Sequence, residues 1–148
     1  MKKVLVTGAA GFIGFSICNK LLEFGIDVCG LDNLNNYYDP RLKSARLEIL
    51  TKKGMPFSKI DLADAEKVKK VFNSYKPTHV INLAAQAGVR YSLENPHAYI
   101  NSNIVGFLNI MRLSSITIAA FFLESWDICI QPVLFSWSLI FLKFSDLS

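Results

Sequence analysis

Residues 3–14 read Lys3-Val4-Leu5-Val6-Thr7-Gly8-Ala9-Ala10-Gly11-Phe12-Ile13-Gly14. The first five form a short apolar run that stops at a glycine, which predicts a strand. Ile13, Ile17, Leu21 and Phe24 then recur at helical spacing, and Gly25 fits the stop of that helix. Strand, glycine turn and helix in this order decide the fold class, because each glycine has a physical use. Gly8 allows the tight turn, Gly11 lets the backbone approach a ligand, and Gly14 permits close packing of helix on strand. The spacing is GxxGxxG, wider than the commoner GxGxxG.

The alternation continues beyond Gly25. Asp27–Leu31 predicts a second strand, and Leu42, Ala45 and Ile49 predict a helix over 40–52. Pro56–Ile60 predicts a third strand. Val68, Val71 and Phe72 mark a helix opened by Asp64 and Glu66, with Lys69 and Lys70 towards its end, a charge order that suits the helix dipole. Thr78–Leu83 predicts a fourth strand. Asn95-Pro96 supplies a cap followed by proline at the first helical position. Ile100, Ile104, Phe107, Leu108 and Met111 then lie on one face. Alternating strands and helices with short connections imply an α/β fold on a parallel sheet with right-handed crossovers. Such a sheet binds ligands at the carboxyl ends of its strands. The polar clusters fall there: Gly8 onward, Asp32-Asn33, Asp61, and Ala84 to Arg90.

A pyrophosphate fits the free amides at the helix start after the glycine turn. Asp32 ends the second strand at the distance where a carboxylate accepts hydrogen bonds from adenosine ribose hydroxyls. No arginine directly follows it, so a 2′-phosphate would meet uncompensated negative charge, which favours NAD over NADP. Asp61 either reaches an adenine amino group or caps the helix before Ala65. Leu83-Ala84-Ala85 leaves room for a cofactor against the backbone, with Gln86 just beyond. Arg90 either pairs with a phosphate or carboxylate of a substrate or is a solvated side chain. Asn33, Asn35, Asn36, Tyr37 and Tyr38 form a polar loop that either touches adenosine or simply turns the chain.

Composition excludes several classes. The net charge of +4 is too small to imply a nucleic-acid partner. With 51% apolar and 19% charged residues, disorder is excluded for most of the chain. Cys18, Cys29 and Cys129 have no CxxC spacing, so they read as buried thiols in a reducing compartment, and a cytoplasmic location is expected. His79 and His97 lack ligand-forming neighbours, and no metal is expected. The apolar stretch after Lys2 and Lys3 is broken by glycines too early for a signal peptide.

Residues 1 to about 110 resemble the extended short-chain dehydrogenase/reductase family of nucleotide-sugar epimerases and dehydratases, and within it the UDP-glucuronate 4-epimerase group. The resemblance lies in VLVTGAAGFIG at 4–14, GLDNLNNYYDPRLKSARL at 30–47, Asp61-Leu62, and INLAAQAGVRYSLENPHAYINSNIVGFLNI at 81–110. It implies a partial, truncated Rossmann fold in which Gly8, Gly11, Phe12, Ile13, Gly14, Asp32, Asn33, Asn36, Asp61, Leu62, Leu83, Ala84, Ala85 and Gln86 hold NAD. Arg90 would face a UDP-sugar substrate, and Asn103 would help organise the site. The implied reaction converts UDP-glucuronate to UDP-galacturonate through a 4-keto sugar, with hydride taken and returned by NAD. In the family a Tyr-x-x-x-Lys pair, assisted by Ser or Thr, moves the 4-hydroxyl proton. This chain has no tyrosine after Tyr99, and none of its five tyrosines has lysine four residues on. It is therefore expected to be inactive as written, with no catalytic residue assigned. Binding of NAD without catalysis is the alternative function.

The resemblance stops near residue 111, and the chain divides into 1–110 and 111–148. Residues 112–148 carry only Arg112, Glu124, Asp127, Lys143 and Asp146 as charges. The uncharged run 128–142 is too short to span a bilayer and contains Pro132. Extending it back to Leu113 would bury Glu124 and Asp127 in lipid. Three readings of this tail stay open: membrane association, a buried fifth strand near Asp127–Val133, or sequence never selected for this fold, produced by a frame shift or rearrangement. The third is favoured. On that reading the fourth strand lacks its neighbour, and low solubility or a homo-oligomer is expected.

Overall fold

The computed structural model describes residues 2–37 and 39–114, together with the backbone of 117–120. Five strands form one parallel sheet in the order β3-β2-β1-β4-β5. They are β1 (Lys3–Thr7), β2 (Asp27–Asp32), β3 (Phe57–Lys59), β4 (His79–Asn82) and β5 (Thr117–Ala120). Helices α1 (Phe12–Glu23), α2 (Pro40–Lys52) and α3 (Ala65–Tyr75) connect the first four strands. A short helix α4 (Val89–Glu94) follows β4. The chain then runs as one helix through α5 (Pro96–Tyr99), a π-helical stretch (Ile100–Gly106) and α6 (Phe107–Leu113).

The central strand is buried on both faces, as its unbroken apolar run requires. Its side chains alternate between two cores. Leu5 joins Leu31, Val68, Phe72, Val80 and Ile110 on the α3 and α6 side. Val4 and Val6 join Ala9, Cys18, Val28, Leu50 and Met55 on the α1 and α2 side. The result is a three-layer α/β sandwich, the Rossmann-type arrangement expected from the sequence.

Side-chain caps open α2 and α3. The Asp39 side chain accepts from the Arg41 amide at 2.9 Å, with Pro40 opening α2. The Asp64 side chain accepts from the Lys67 amide at 3.1 Å and opens α3. Capping of α3 therefore belongs to Asp64, and Asp61 is left for the loop before it.

Apart from α4, helix positions follow the sequence, but two buried faces do not. On α2 the buried residues are Lys43, Leu47 and Leu50, while Leu42 and Ile49 are exposed. The apolar pattern at 42, 45 and 49 has a competing pattern at 43, 47 and 50, which wins because the lysine stem is itself apolar. In the last helix the π-helical stretch, with its wider i→i+5 turns, rotates the faces relative to a regular helix. Gly106, Asn109 and Ile110 are buried, whereas Ile100, Ile104, Leu108 and Met111 are exposed. Gly106 sits flush on Leu62, since a Cβ there would come within 2.8 Å of the Leu62 Cβ. Asn109 Nδ2 donates to the carbonyls of Leu62 at 2.8 Å and Ala63 at 3.3 Å. The helix is thus tied to the loop after β3 by a polar strut that periodicity does not reveal.

The fourth strand has a neighbour, contrary to expectation. Strand β5 pairs parallel with β4, with His79 opposite Thr117 and Asn82 opposite Ala120. The fifth strand expected near Asp127–Val133 lies outside the described residues, as does the apolar run 128–142. No helix among the described residues is long and apolar enough to cross a membrane.

Cys18 and Cys29 are both buried. Burial pushes the Cys18 thiol up to about 12, and burial with the Asp27 carboxylate nearby pushes Cys29 up to about 11. Native protein at pH 8 should release no more than one thiol equivalent to a disulfide reagent, and three after unfolding in urea. Both folded-state values lie above the ordinary thiol value of 9.0, so the unfolded chain ionises first. The stability these thiols contribute is intact below pH 9 and declines as pH rises towards 11 and 12, which urea titrations across that range will show.

Candidate functional site

A cleft opens at the carboxyl ends of β1, β2, β3 and β4, with a cavity volume of about 130 Å³. Its floor is the turn between β1 and α1. Gly8 has φ +68°, and a Cβ there would lie 2.8 Å from the Ala84 amide nitrogen. Conformation and space therefore both demand glycine. The carbonyl of Gly8 in turn lies beneath Gly14, where any Cβ would collide with it. Gly11 opens α1 with no side-chain cap, so the first-turn amides are left for water or a ligand.

Thr7 fixes the opposite wall. Its buried hydroxyl donates to Asn82 Oδ1 at 2.5 Å and accepts from the amides of Leu83 and Ala84, each at 3.1 Å. The chain leaving β4 is thereby held against the glycine turn. Asn103 extends this wall from the π-helical stretch: its Oδ1 accepts from the Gln86 amide at 2.8 Å and its Nδ2 donates to the Gln86 carbonyl at 3.0 Å. Beyond it, the Tyr99 hydroxyl donates to the carbonyls of Ala87 and Gly88. Tyr91 packs against Tyr37 with ring centres 5.0 Å apart.

Asp32 lies at the end of β2 and is 7% exposed. Its Oδ2 accepts from the Ala10 amide at 3.2 Å, and its Oδ1 accepts from the Leu34 amide at 2.8 Å. Oδ1 also pairs with the Lys43 ammonium at 3.3 Å, and Lys43 donates to Asn35 Oδ1 at 3.0 Å. The expectation of uncompensated negative charge at this point is therefore corrected. The countercharge comes from α2, eleven residues further along the chain. One turn on, Arg46 donates to the Ala10 carbonyl at 3.2 Å and lies 5.9 Å above the Phe12 ring. Next to Asp32, Asn33 Nδ2 donates to Asp61 Oδ2 at 3.2 Å, and Asp61 Oδ1 accepts from the Ala63 amide at 2.9 Å. Asp61 thus turns the loop after β3 and keeps its other oxygen towards the cleft neighbourhood of Asn33.

Of the residues singled out in the sequence, Gly8, Gly11, Asp32, Asn33, Asp61, Leu62, Leu83, Ala84, Ala85 and Gln86 line this cavity, with Asn35 and Tyr37 of the polar loop. Phe12, Ile13, Gly14, Asn36 and Arg90 do not line it. Phe12, Asn36 and Arg90 are exposed, and Gly14 is buried beneath the turn. Tyr38 is outside the described residues. Lys43 and Ser102 line the cavity unannounced, along with Leu31 and Ile60. Thr7 and Arg46 support it. Thr7 carries a signal in hindsight, as a polar residue closing a buried apolar strand. Burial and a bond to Asp27 at 2.9 Å push the Tyr75 hydroxyl up. Asp27 starts β2, so this pair sits at the far end of the sheet from the cleft. No group of His, Cys, Asp and Glu suited to a metal occurs among the described residues.

The family model for GDP-mannose 4,6 dehydratase matches residues 5–122. The chain belongs to this family. It is 50% identical over 110 residues, 74% of its length, to UDP-glucuronate 4-epimerase 4 of Arabidopsis thaliana, of which it covers 25%. Among solved structures, it is similar to the UDP-glucose 4-epimerase of Thermus thermophilus in complex with NAD. There the TM-score is 0.64 at 40% identity, covering 75% of this chain and 33% of that one. It is also similar to a mutant UDP-glucuronic acid 4-epimerase of Bacillus cereus, in complex with NAD and UDP-4-deoxy-4-fluoro-glucuronic acid. That comparison gives a TM-score of 0.67 at 30% identity, covering 78% of this chain and 37% of the other. The chain spans about a third of the length of the bacterial family relatives it matches and about a quarter of the plant ones. The family likeness expected from the sequence is therefore present, and it lies in the N-terminal part of those longer proteins.

Proposed function

We propose that residues 1–110 are the NAD-binding part of a nucleotide-sugar epimerase of the UDP-glucuronate 4-epimerase type. The observation that carries this reading is the joint placement of the glycine turn, Asp32 and the Leu83–Gln86 wall around one cleft. The cleft fits a dinucleotide chemically. Gly8 leaves the backbone of Ala84 bare at the point where a side chain would fill it. The uncapped start of α1 offers amides and a dipole to a pyrophosphate.

Gly8, Gly11, Phe12, Ile13 and Gly14 would hold the pyrophosphate. Asp32, with Asn33 and Asn36, would hold the adenosine ribose. Asp61 and Leu62 would border the adenine, and Leu83, Ala84, Ala85 and Gln86 the nicotinamide end. Arg90, exposed on α4, would meet the UDP-sugar. When bound, NAD supplies the hydride chemistry. These residues orient it and exclude water. The 148 residues contain no Tyr-x-x-x-Lys. Binding without epimerisation is accordingly the activity proposed for this chain, in the cytoplasm and with self-association through its apolar surface.

Titration calorimetry of the full chain with NAD and with ADP-ribose tests this. Both should bind, and incubation with NAD and UDP-glucuronate should yield no UDP-galacturonate. No heat from either ligand at millimolar concentration overturns the binding assignment. Turnover overturns the inactivity.

A further inference from the structure

We propose that Tyr37, Tyr91 and Tyr99 form an aromatic strap across the cleft, which parts to let a dinucleotide in or out and so sets the exchange rate of the ligand. This rests on the dinucleotide reading above and adds a gate to it. Strands β2 and β4 flank β1 in the sheet. A contact between the loop after β2 and the helix after β4 therefore passes over the glycine turn that follows β1. Tyr37 belongs to the first of these segments and Tyr91 to the second, and their rings meet at 5.0 Å between centres, tilted by 47°. The cavity that Tyr37 lines has a volume of about 130 Å³. Pockets for small ligands usually hold about 300–1,000 Å³, so a dinucleotide reaching from Asp32 to Gln86 needs the strap displaced.

Each side of the strap is shaped for the contact. Gly88 has φ +104°, and a Cβ there would collide with the Tyr37 hydroxyl, so the missing side chain lets the loop approach. The Tyr99 hydroxyl bonds to the carbonyls of Ala87 and Gly88, which fixes the receiving side. Tyr91 touches both partners: its ring centre lies 6.3 Å from that of Tyr99, and its hydroxyl accepts from Asn95 Nδ2 at 3.2 Å. All three tyrosines are half-buried. Helix α4 has no buried residue, so no core contact resists its movement. The base of the opposite loop is firm, since Lys43 donates to Asn35 Oδ1 at 3.0 Å. Opening therefore falls between Tyr37 and Tyr91. An aromatic pair shifts an equilibrium by up to about tenfold, which is enough to slow exchange and too little to shut the cleft permanently.

Stopped-flow fluorescence of the full chain with NADH, followed by displacement with excess NAD, reads both rate constants. Tyr91→Ala removes the strap without altering a residue assigned to the ligand. It should raise association and dissociation rates about tenfold each, while Kd moves less than about threefold. The contact is lost from the free and the bound forms alike, so the barrier falls and the difference between its two ends does not. Tyr91→Phe keeps the ring and should keep wild-type rates. Tyr37→Ala cuts the same contact from the other side and is the informative variant if Tyr91→Ala unfolds. With both alanines present, exchange should be no faster than in the faster single variant, because one contact is shared. Unchanged rates in the alanine variants overturn the proposal. So does faster dissociation without faster association, which would make the tyrosine a ligand contact and not a gate. Either result leaves the dinucleotide reading standing, since wild type still binds NADH. No binding of NADH by wild type removes both.

Discussion

Asp32→Asn should abolish detectable ADP-ribose binding and also lower stability by ~3 kcal/mol, the usual scale for leaving one half of a buried ion pair unpaired. The two losses have separate origins. Binding fails because the ribose hydroxyls lose their charged acceptor. Stability falls because Lys43, 11% exposed at its side chain, is left beside a neutral amide with only Asn35 as partner. The double variant Asp32→Asn/Lys43→Met separates them. Removing both charges should restore stability to within ~1 kcal/mol of wild type, since a buried pair and an apolar substitute are often close in energy. Ligand binding should not return. Urea midpoints and calorimetry on the two single variants and the double variant complete the cycle. A double variant as unstable as Asp32→Asn would show that the ion pair is not the source of the loss.

Gly14→Ala should destabilise the chain by ~3 kcal/mol, towards the upper end for overpacking a tight contact. The added Cβ collides with the Gly8 carbonyl, lying 2.8 Å from its carbon and 3.0 Å from the Ala9 Cα. These are backbone atoms of the turn that shapes the cleft, so they cannot swing aside as a flexible side chain would. Gly25→Ala is the comparison. Gly25 has φ +69° but nothing within 4 Å of an added Cβ, so only the left-handed backbone penalty of ~1 kcal/mol applies. If urea midpoints for the two variants coincide, the close approach of α1 to β1 relaxes more easily than the geometry implies. ADP-ribose affinity should fall in Gly14→Ala and stay unchanged in Gly25→Ala, because only the former displaces the glycine turn.

Which strands form was legible because burial on both faces leaves a mark in the chain itself. Lys3–Thr7 and Asp27–Leu31 are apolar runs ended by Gly8 and Asp32, Thr78–Leu83 is a further run rich in apolar residues, and each matches an observed strand to within a residue or two. The caps at Asp64 and Asn95 were legible because a cap bonds to an amide about three residues away. Helix faces were less so. Two apolar patterns compete on α2, and a π-helical stretch resets the last helix, so the residues that reach the core there depend on what lies opposite. The loop after β4 did not disclose α4, a six-residue helix with no buried residue to mark it.

By itself the sequence determined the alternation of strands and helices, the glycine turn, the acid at the end of β2 and the end of the sheet at which the cleft opens. All of these follow from local periodicity, turn chemistry and the polarity of a parallel sheet. Tertiary structure alone decided that Lys43 neutralises Asp32 across eleven residues of chain, and that Thr7 and Asn103 hold the far wall. It alone decided that Asn109 ties the last helix to Leu62 across forty-seven residues, and that β5 occupies the edge beside β4. The physical reason is the same in each case. A hydrogen bond or ion pair between distant segments depends on how sheet and helices bring them together, and no periodicity within either segment records its partner.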